Sequence, residues 1–164
     1  MTMATLDRSA SSRGFLPTPL ARIGLIIPSS NRLTEPQLRH FAPPSLGVHV
    51  TRLQMTGKWN RPLSALSEDI QRAAGALADA KCDIIVFHCT GHAMEEGPDG
   101  DARTRAMIKS ATGIEAIEPI ERKLGKPVVN SNQAVLWACV RRLRHKLGAV
   151  ELAAGLGRLV TRSL

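Results

Sequence analysis

The chain alternates between short apolar runs and longer segments in which apolar residues recur every three or four positions. Four short runs have the length, the flanking turn residues or the period-two pattern of β-strands. The predicted strands are residues 23–27, the segment GVHVTRLQM (47–55), residues 83–87 and the segment KPVVN (126–130). The run at 83–87 is apolar at every position after its aspartate, which is typical of a strand covered on both faces.

Helical spacing fills most of the chain between and after these runs. Apolar residues recur at intervals of three and four from Pro62 to Ala80, and three further segments end in a glycine that would terminate a helix. The predicted helices are residues 62–80, 99–113, 118–125 and 131–148, the last one capped by Ser131 or Asn132. Strands that alternate with helices predict an α/β fold with a parallel sheet. Residues 1–20, rich in Ser, Thr and Pro, are expected to form a loose extension.

Three small polar loops follow predicted strands, at residues 28–31, 88–91 and 130–132. Ligands of open parallel sheets bind outside the carboxyl ends of the strands, so we expect these loops to lie at one edge. Their small side chains and backbone amides favour a carboxylate or a phosphate, with Ser30 and Asn31 as candidate ligands in the first loop. Any one of them is compatible with an ordinary turn, but the three together predict a site for a small acid.

Cys89 lies where the third predicted strand ends. Its thiol is a candidate nucleophile or proton carrier, and a small buried hydrophobe is the alternative interpretation. With an ordinary pKa of about 8.5, a thiol is only a few per cent ionised at neutral pH, so catalysis would need nearby amides or a histidine. His88, Cys89 and His92 are too few for a zinc site, and sequence adjacency does not supply the geometry of a Cys–His protease. Cys82 and Cys139 are expected to be structural.

Composition narrows the class of protein. A length of 164 residues predicts one compact domain, and a hydrophobic share of 43% with few aromatic residues predicts an aliphatic core. The formal charge of +8 raises the question of nucleic acid, but its densest cluster, residues 141–146, is better explained as the solvated end of a helix. Nucleic acid is therefore not expected as a partner. Three cysteines outside any CxxC pattern and the lack of a long apolar run predict a reducing, cytoplasmic setting without a membrane span.

Three stretches resemble the aspartate/glutamate racemase superfamily, and most closely its branch of maleate cis-trans isomerases and arylmalonate decarboxylases. The stretches are RIGLIIPSSN (22–31), CDIIVFHCTGHAMEEGPDGD (82–101) and IEPIERKLGKPVVNSNQAVLWACVRRL (117–143), and the closing GLGRLV (155–160) is similar as well. The resemblance implies a cofactor-independent enzyme that acts at a carbon next to a carboxylate. It also implies a flavodoxin-like α/β lobe, with a short parallel sheet and helices on both faces; family members have two such lobes with the site between them.

The resemblance implies roles for particular residues. Asn31 matches the family's carboxylate-binding asparagine. Cys89 matches the first-lobe cysteine, which carries a proton in racemases and adds to the substrate double bond in maleate isomerases. The other substrate-binding residues expected from the same match are Thr90 and Gly91, as amide donors, and Ser131 and Asn132, in the loop after the last strand.

The sequence departs from the family pattern near residues 113–114. There it passes directly to the closing helix–strand–helix of the second lobe, so that the second-lobe cysteine is missing. We therefore expect an internally shortened relative in which residues 21–164 form one α/β domain, and in which a homodimer would restore a two-cysteine site. Two functions follow: an isomerase, racemase or decarboxylase of small mono- or dicarboxylates, or a non-catalytic carboxylate-binding or interaction module.

Overall fold

The computed structural model describes residues 18–95, 97–116 and 131–148. Within these ranges one parallel sheet has the strand order β2-β1-β3-β4. The strands are β1 (Ala21–Pro28), β2 (Leu46–Leu53), β3 (Ile84–Phe87) and β4 (Glu115–Ala116). The helices are α1 (Thr34–Phe41), α2 (Ser67–Asp79), α3 (Thr90–Glu95), α4 (Gly97–Thr112), α5 (Ser131–Arg142) and α6 (Arg144–Leu147), with 3₁₀ turns at Gly57–Trp59 and Leu63–Leu66. The expected α/β class with a parallel sheet is confirmed.

β1 is the central strand of the sheet. It pairs with β2 along its whole length and with β3 over residues 23–26. Its side chains are buried on both faces, because Ile23, Leu25 and Ile27 pack into one core while Ile26 packs into the other. A parallel strand that is covered on both faces requires such a continuous apolar run, which is why the sequence indicates this strand clearly.

Helices cover both faces of the sheet, as expected. On one face, α1 and α5 close a core that includes Leu38, Val135, Leu136, Cys139 and Val140. On the other face, α2 and α4 close a core that includes Ile70, Ala74, Leu77 and Ile108. Gly24 permits the close approach of α2, because a Cβ at this position would lie 3.0 Å from Cδ1 of Leu77 and 3.2 Å from Sγ of Cys82.

The structure differs from the sequence prediction in a few elements. The sequence predicts no helix after residue 31, yet α1 forms there with only Thr34 and Leu38 buried, too few apolar positions to produce a recognisable period. The helix predicted from Pro62 begins as a 3₁₀ turn before α2. β4 follows α4 almost directly and is two residues long, too short to carry a pattern. The predicted helix at 118–125 and the predicted strand at 126–130 lie outside the described residues.

Part of the basic cluster at residues 141–146 is engaged in ion pairs within the chain. Nε of Arg142 donates a hydrogen bond to Oε2 of Glu115 at 3.0 Å, and Lys146 pairs with Asp83. These pairs fasten α5 and α6 to the ends of β4 and β3. None of the helices in the described ranges is both long and apolar enough to cross a membrane.

Asp83 joins three elements at the amino ends of the strands. Its Oδ2 accepts a hydrogen bond from the backbone N–H of Arg22 at 2.8 Å, and its Oδ1 pairs with Lys146 of α6. Burial by itself raises the pKa of the Asp83 carboxyl, but the hydrogen bonds from Lys146 and from the Arg22 N–H outweigh burial, so the pKa lies below its ordinary value. The charged form of Asp83 is therefore the one that stabilises the fold.

We predict that Asp83→Asn lowers the free energy of unfolding by about 1–2 kcal/mol at neutral pH, because it removes a charged acceptor shared by β1 and α6. Since the folded pKa is below the unfolded value of about 3.9, the stabilisation is complete above that pH and is lost as the pH falls through the folded pKa. Urea denaturation between neutral and acidic pH measures the effect. Asp79→Asn, at an exposed carboxylate at the end of α2, is the matched control. A stability difference that stays constant down to acidic pH would contradict the assignment.

Candidate active site at the carboxyl ends of β1 and β3

A cleft of about 660 Å³ opens where β1 and β3 end. Its lining comes from the segment after β1, the segment after β3 and the first turn of α5. The lining residues are Pro28, Ser30, Asn31, Arg32, Leu33, Thr34, His88, Cys89, Gly91 and Asn132. Five residues that the sequence selects as site candidates therefore line one cleft: Ser30, Asn31, Cys89, Gly91 and Asn132. The other two candidates, Thr90 and Ser131, are the first residues of α3 and α5.

Asn31 is held in a fixed orientation by the backbone of α1. Its Oδ1 accepts hydrogen bonds from the N–H groups of Leu33 at 3.1 Å and Thr34 at 3.0 Å, so it caps the start of the helix. Because the amide oxygen is committed to these two donors, the Nδ2 amino group is the part of Asn31 that remains as a donor. The cleft-lining asparagine can thus donate a hydrogen bond to an anion without changing its contacts with α1.

The segment that carries Asn31 is fixed from the side by Arg52, at the end of β2. Nη1 of Arg52 donates hydrogen bonds to the backbone carbonyls of Ser29 at 3.2 Å and Asn31 at 2.6 Å, while Nη2 pairs with Glu35. The guanidinium of Arg52 is therefore engaged in contacts within the protein. The next arginine along the chain, Arg32, is different: it lines the cleft, is exposed and makes no ion pair or hydrogen bond with any residue that the structure describes.

Asn132 connects three segments beneath the cleft. Its Oδ1 accepts hydrogen bonds from Oγ1 of Thr34 and from Nε2 of His88, each at 2.9 Å, and its Nδ2 donates to Oε1 of Gln37. The sequence predicts Asn132 as a helix cap or a substrate ligand; in the structure its Oδ1 and Nδ2 also make these contacts within the protein. Asn132 is therefore placed to hold α1, β3 and α5 in register around the cleft.

His88 is a buried, neutral imidazole at the end of β3. It is 4% exposed, and burial lowers its pKa although the hydrogen bond with Asn132 acts in the opposite direction. Because the oxygen of Asn132 can only accept, Nε2 of His88 carries the proton and Nδ1 carries the lone pair. Nδ1 has no hydrogen-bond partner among the described residues and is itself buried. His88 can thus supply a hydrogen-bond acceptor, but not a positive charge, at the cleft.

Cys89 is separated from the end of β3 by one residue, His88, and the helix α3 begins directly after Cys89 rather than after the loop that the sequence predicts. The side chain is 9% exposed. Burial raises the pKa of the Cys89 thiol and the charge of Glu95 adds to this, while the backbone N–H groups of His92 and Gly91 lower it in part. The Gly91 N–H, which the sequence predicts as a donor to substrate, thus also favours the thiolate form of Cys89. The resting form of Cys89 is therefore the protonated thiol.

The ring of His92 lies against Cys89. Its Nδ1 is 3.5 Å from Sγ of Cys89, and its Nε2 is 3.1 Å from the backbone carbonyl oxygen of Arg61. The spacing of His88, Cys89 and His92 in the sequence favours neither a metal site nor a Cys–His protease. The contact between His92 and Cys89 is therefore seen only in the structure. Within the described residues, no group of three His, Cys, Asp or Glu side chains is arranged to hold a metal ion.

The other two cysteines lie in the hydrophobic core. Burial raises the pKa of Cys82 to about 11 and that of Cys139 to about 12. Cys139 is packed among the apolar residues of α5, and Cys82 lies behind Gly24. Neither thiol lines the cleft, so both serve as internal controls for the reactivity of Cys89.

The curated proteins that match this chain in sequence are maleate isomerases. No model of a known protein family matches the chain. A maleate isomerase of Geobacillus stearothermophilus is 28% identical over 99 residues, which are 56% of this chain and 39% of that protein. A maleate isomerase of Pseudomonas putida is 28% identical over 116 residues, which are 66% of this chain and 46% of that protein. The chain thus spans less than half the length of these curated relatives.

Comparison with solved structures gives the same fold. A crystal structure of arylmalonate decarboxylase matches with a TM-score of 0.66 at 16% identity, covering 87% of this chain and 100% of that chain. The maleate cis-trans isomerase of Nocardia farcinica matches with a TM-score of 0.51 at 22% identity, covering 75% of this chain and 48% of that chain. Identities this low establish the fold alone.

The parallel sheet, the helices on both faces and the polar cleft at the strand ends define an α/β protein with a racemase-like fold. The sequence relatives narrow this class. The resemblance predicted from the sequence is confirmed: the chain is similar in sequence to maleate isomerases and in fold to arylmalonate decarboxylase. Its partial coverage of the longer relatives fits the shortened arrangement that the sequence predicts.

Proposed function

We propose that the chain binds a small carboxylate in the cleft after β1 and β3 and acts on it through the thiol of Cys89. One observation carries the proposal: the same cleft is lined by a cysteine, by an arginine without an ion pair to any described residue, and by an asparagine whose amino group has no described acceptor. The curated proteins that this chain resembles in sequence are maleate isomerases. A small dicarboxylate of the maleate type is therefore the proposed substrate class.

Arg32 and Asn31 are the proposed carboxylate anchors. The guanidinium of Arg32 supplies a positive charge and donors in a planar fork that matches the two oxygens of a carboxylate. Nδ2 of Asn31 supplies a further donor, because Oδ1 is occupied by the α1 backbone. Ser30, at the same turn, is a neutral neighbour within the lining. Leu33, exposed by 64%, gives the cleft an apolar side suited to the carbon skeleton of a substrate.

The proposed chemistry is addition of the Cys89 thiolate to the substrate double bond. The new C–S bond uses the thiolate electron pair, and the electrons of the double bond move to the neighbouring carbon and into its carboxylate. The remaining C–C bond is then single and can rotate. Return of the electrons reforms the double bond, breaks the C–S bond and releases the trans isomer. This route uses one cysteine, whereas two-sided proton exchange requires a second proton carrier.

A second function, carboxylate binding without turnover, is favoured by one observation. The pKa of the Cys89 thiol is raised, so little thiolate is present before a ligand binds. A module that only holds an acid would need Arg32 and Asn31 but would not need Cys89 to ionise. The two functions differ in whether turnover depends on the sulfur atom.

We predict that iodoacetate, which carries a carboxylate, labels Cys89 faster relative to neutral iodoacetamide than it labels glutathione. Arg32→Gln is expected to lower the iodoacetate rate by about tenfold, equivalent to about 1.4 kcal/mol, with little change in the iodoacetamide rate. Maleate is expected to protect Cys89, and peptide mass spectrometry gives the rate at each cysteine. Arg144→Gln, at an exposed arginine on α6 outside the cleft, is the matched control. Equal ratios for protein and glutathione, without protection by maleate, would refute an anion site.

We further predict that Cys89→Ser abolishes conversion of maleate to fumarate, followed by proton NMR of the vinyl signals, while maleate binding measured by calorimetry persists. This result follows if the sulfur forms the C–S bond, because serine retains the size and polarity of the side chain without the nucleophile. Cys82→Ser is not a suitable control, since Cys82 is buried in the core; a mock-alkylated wild type serves instead. Binding without turnover in the wild type itself would favour the second function.

The open side of the cleft leads to a proposal on assembly. We infer that a second copy of the chain covers the exposed Leu33 and brings two Cys89 thiols to one interface, as the homodimer expected from the sequence would require. We predict a mass of twice 17.7 kDa by light scattering at micromolar concentration. Leu33→Glu is expected to give the monomer. Leu20→Glu, at an exposed leucine before the opposite end of β1, is expected to leave the dimer intact. A wild-type monomer would contradict the assembly.

A further inference from the structure

The contact between His92 and Cys89 is part of a chain of three groups. The backbone carbonyl of Arg61 lies 3.1 Å from Nε2 of His92, and Sγ of Cys89 lies 3.5 Å from Nδ1 of the same ring. A carbonyl oxygen can only accept a hydrogen bond, so Nε2 must carry the proton. In the neutral ring, Nδ1 therefore carries the lone pair and faces the thiol. The carbonyl of Arg61 thus selects the tautomer in which His92 can accept a proton from Cys89.

The side chain of Arg61 contacts α2. Its guanidinium Nη2 donates to Oδ2 of Asp69 on α2 at 2.9 Å. Both His92 and Cys89 are buried, at 7% and 9% exposure, which limits the movement of the ring between the carbonyl and the sulfur. The arrangement has the nucleophile, base and orienting group that activated thiols and hydroxyls share, with a backbone carbonyl as the orienting group.

We propose that His92 is the proton acceptor of Cys89, held in the reactive tautomer by the carbonyl of Arg61. The S–H bond breaks and an N–H bond forms at Nδ1, which gives a thiolate and an imidazolium without any external base. The thiolate electron pair then forms the bond to the electrophilic carbon. When that bond breaks, the proton returns from Nδ1 to the sulfur. The identity of the electrophile rests on the proposed function, whereas the proton transfer is a property of this pair alone.

Charged and titratable groups lie around the pair on several elements. On α3, Glu95 disfavours the thiolate, while the backbone N–H groups of Gly91 and His92 favour it. Directly after β3, His88 contributes a neutral ring. From the segment after β1, Arg32 contributes the positive charge that lines the cleft. The guanidinium of Arg61 pairs with Asp69, a carboxylate that also pairs with Arg72.

The test is the pH dependence of Cys89 alkylation by iodoacetamide, a neutral reagent that does not need the carboxylate anchors. Proton transfer inside the pair consumes no hydroxide, so the wild-type rate is expected to level off around neutral pH. Without the base, the rate follows the thiolate fraction and falls tenfold for each pH unit below the thiol pKa. A wild-type rate that falls tenfold per pH unit throughout would overturn the proposal.

His92→Gln isolates the base, because the amide nitrogen of glutamine occupies nearly the position of Nε2 and can still donate to the carbonyl of Arg61. This variant is expected to lose the level region and to react at least tenfold more slowly at neutral pH. His145→Gln, at an exposed histidine on α6, is expected to keep the wild-type profile. A level region retained in a folded His92→Gln would also overturn the proposal. Should that variant not unfold cooperatively, His92→Asn, which places an amide near Nδ1, is measured in the same way.

The proposed proton transfer to His92 and the proposed carboxylate binding can be refuted independently of each other. A level pH profile without protection by maleate would leave the pair standing and remove the carboxylate site. Protection by maleate with a tenfold slope in the wild type would leave the carboxylate site and remove the role of His92.

Discussion

The pairing of β1 on both of its edges constrains the rest of the structure. With β2 on one side, β3 on the other and helices over both faces, the strand has no exposed surface except at its ends. The chain must therefore leave the core abruptly at Pro28, and the polar turn that follows faces solvent beside the end of β3. The cleft is the consequence: it lies where two adjacent buried strands end together, and it collects whatever polar groups follow them.

The elements with strong apolar patterns were predictable from the sequence. The central strands, the helix of residues 67–79 and the helix that begins at Ser131 each bury enough side chains to impose a period on the sequence. α1 could not be predicted in this way, because it depends on the side-chain cap from Asn31 and on two buried positions. β4 could not be predicted either, because two residues carry no period and its place is fixed only by pairing with β3.

The residues of the candidate site were likewise predictable only in part. The rule that ligands bind at the carboxyl ends of parallel strands identified Asn31, Cys89 and Asn132. This rule needs only the points at which the apolar runs of the sequence end. The sequence did not show the internal contacts that two of them make: Asn132 bonds to Thr34 and His88, and the amide oxygen of Asn31 is engaged by α1. Arg32 was not identified, because the sequence does not reveal which arginines pair with acidic side chains, and only the structure shows that Arg32 pairs with none in the described ranges.

His92 illustrates a signal that was present but easily misread. Cys89 and His92 are three positions apart, a spacing that brings two side chains together if a helix begins between them. The glycines at positions 91 and 97 suggest a loop instead, and in a loop the spacing has no meaning. The start of α3 at Thr90 decides between these readings, and it depends on tertiary packing rather than on local preference.

The hydrogen bonds of Asn132 have a consequence for the order of folding. They join α5 to Thr34, Gln37 and His88 across 98, 95 and 44 residues of sequence. Contacts over such separations require closure of long loops, so they form late relative to the local turns of α2 and α4. On a ribosome, β1, α1 and β3 emerge well before α5, and until α5 docks the polar residues beneath the cleft lack the amide that organises them. Ligand binding should therefore be the last property that this chain acquires as it folds.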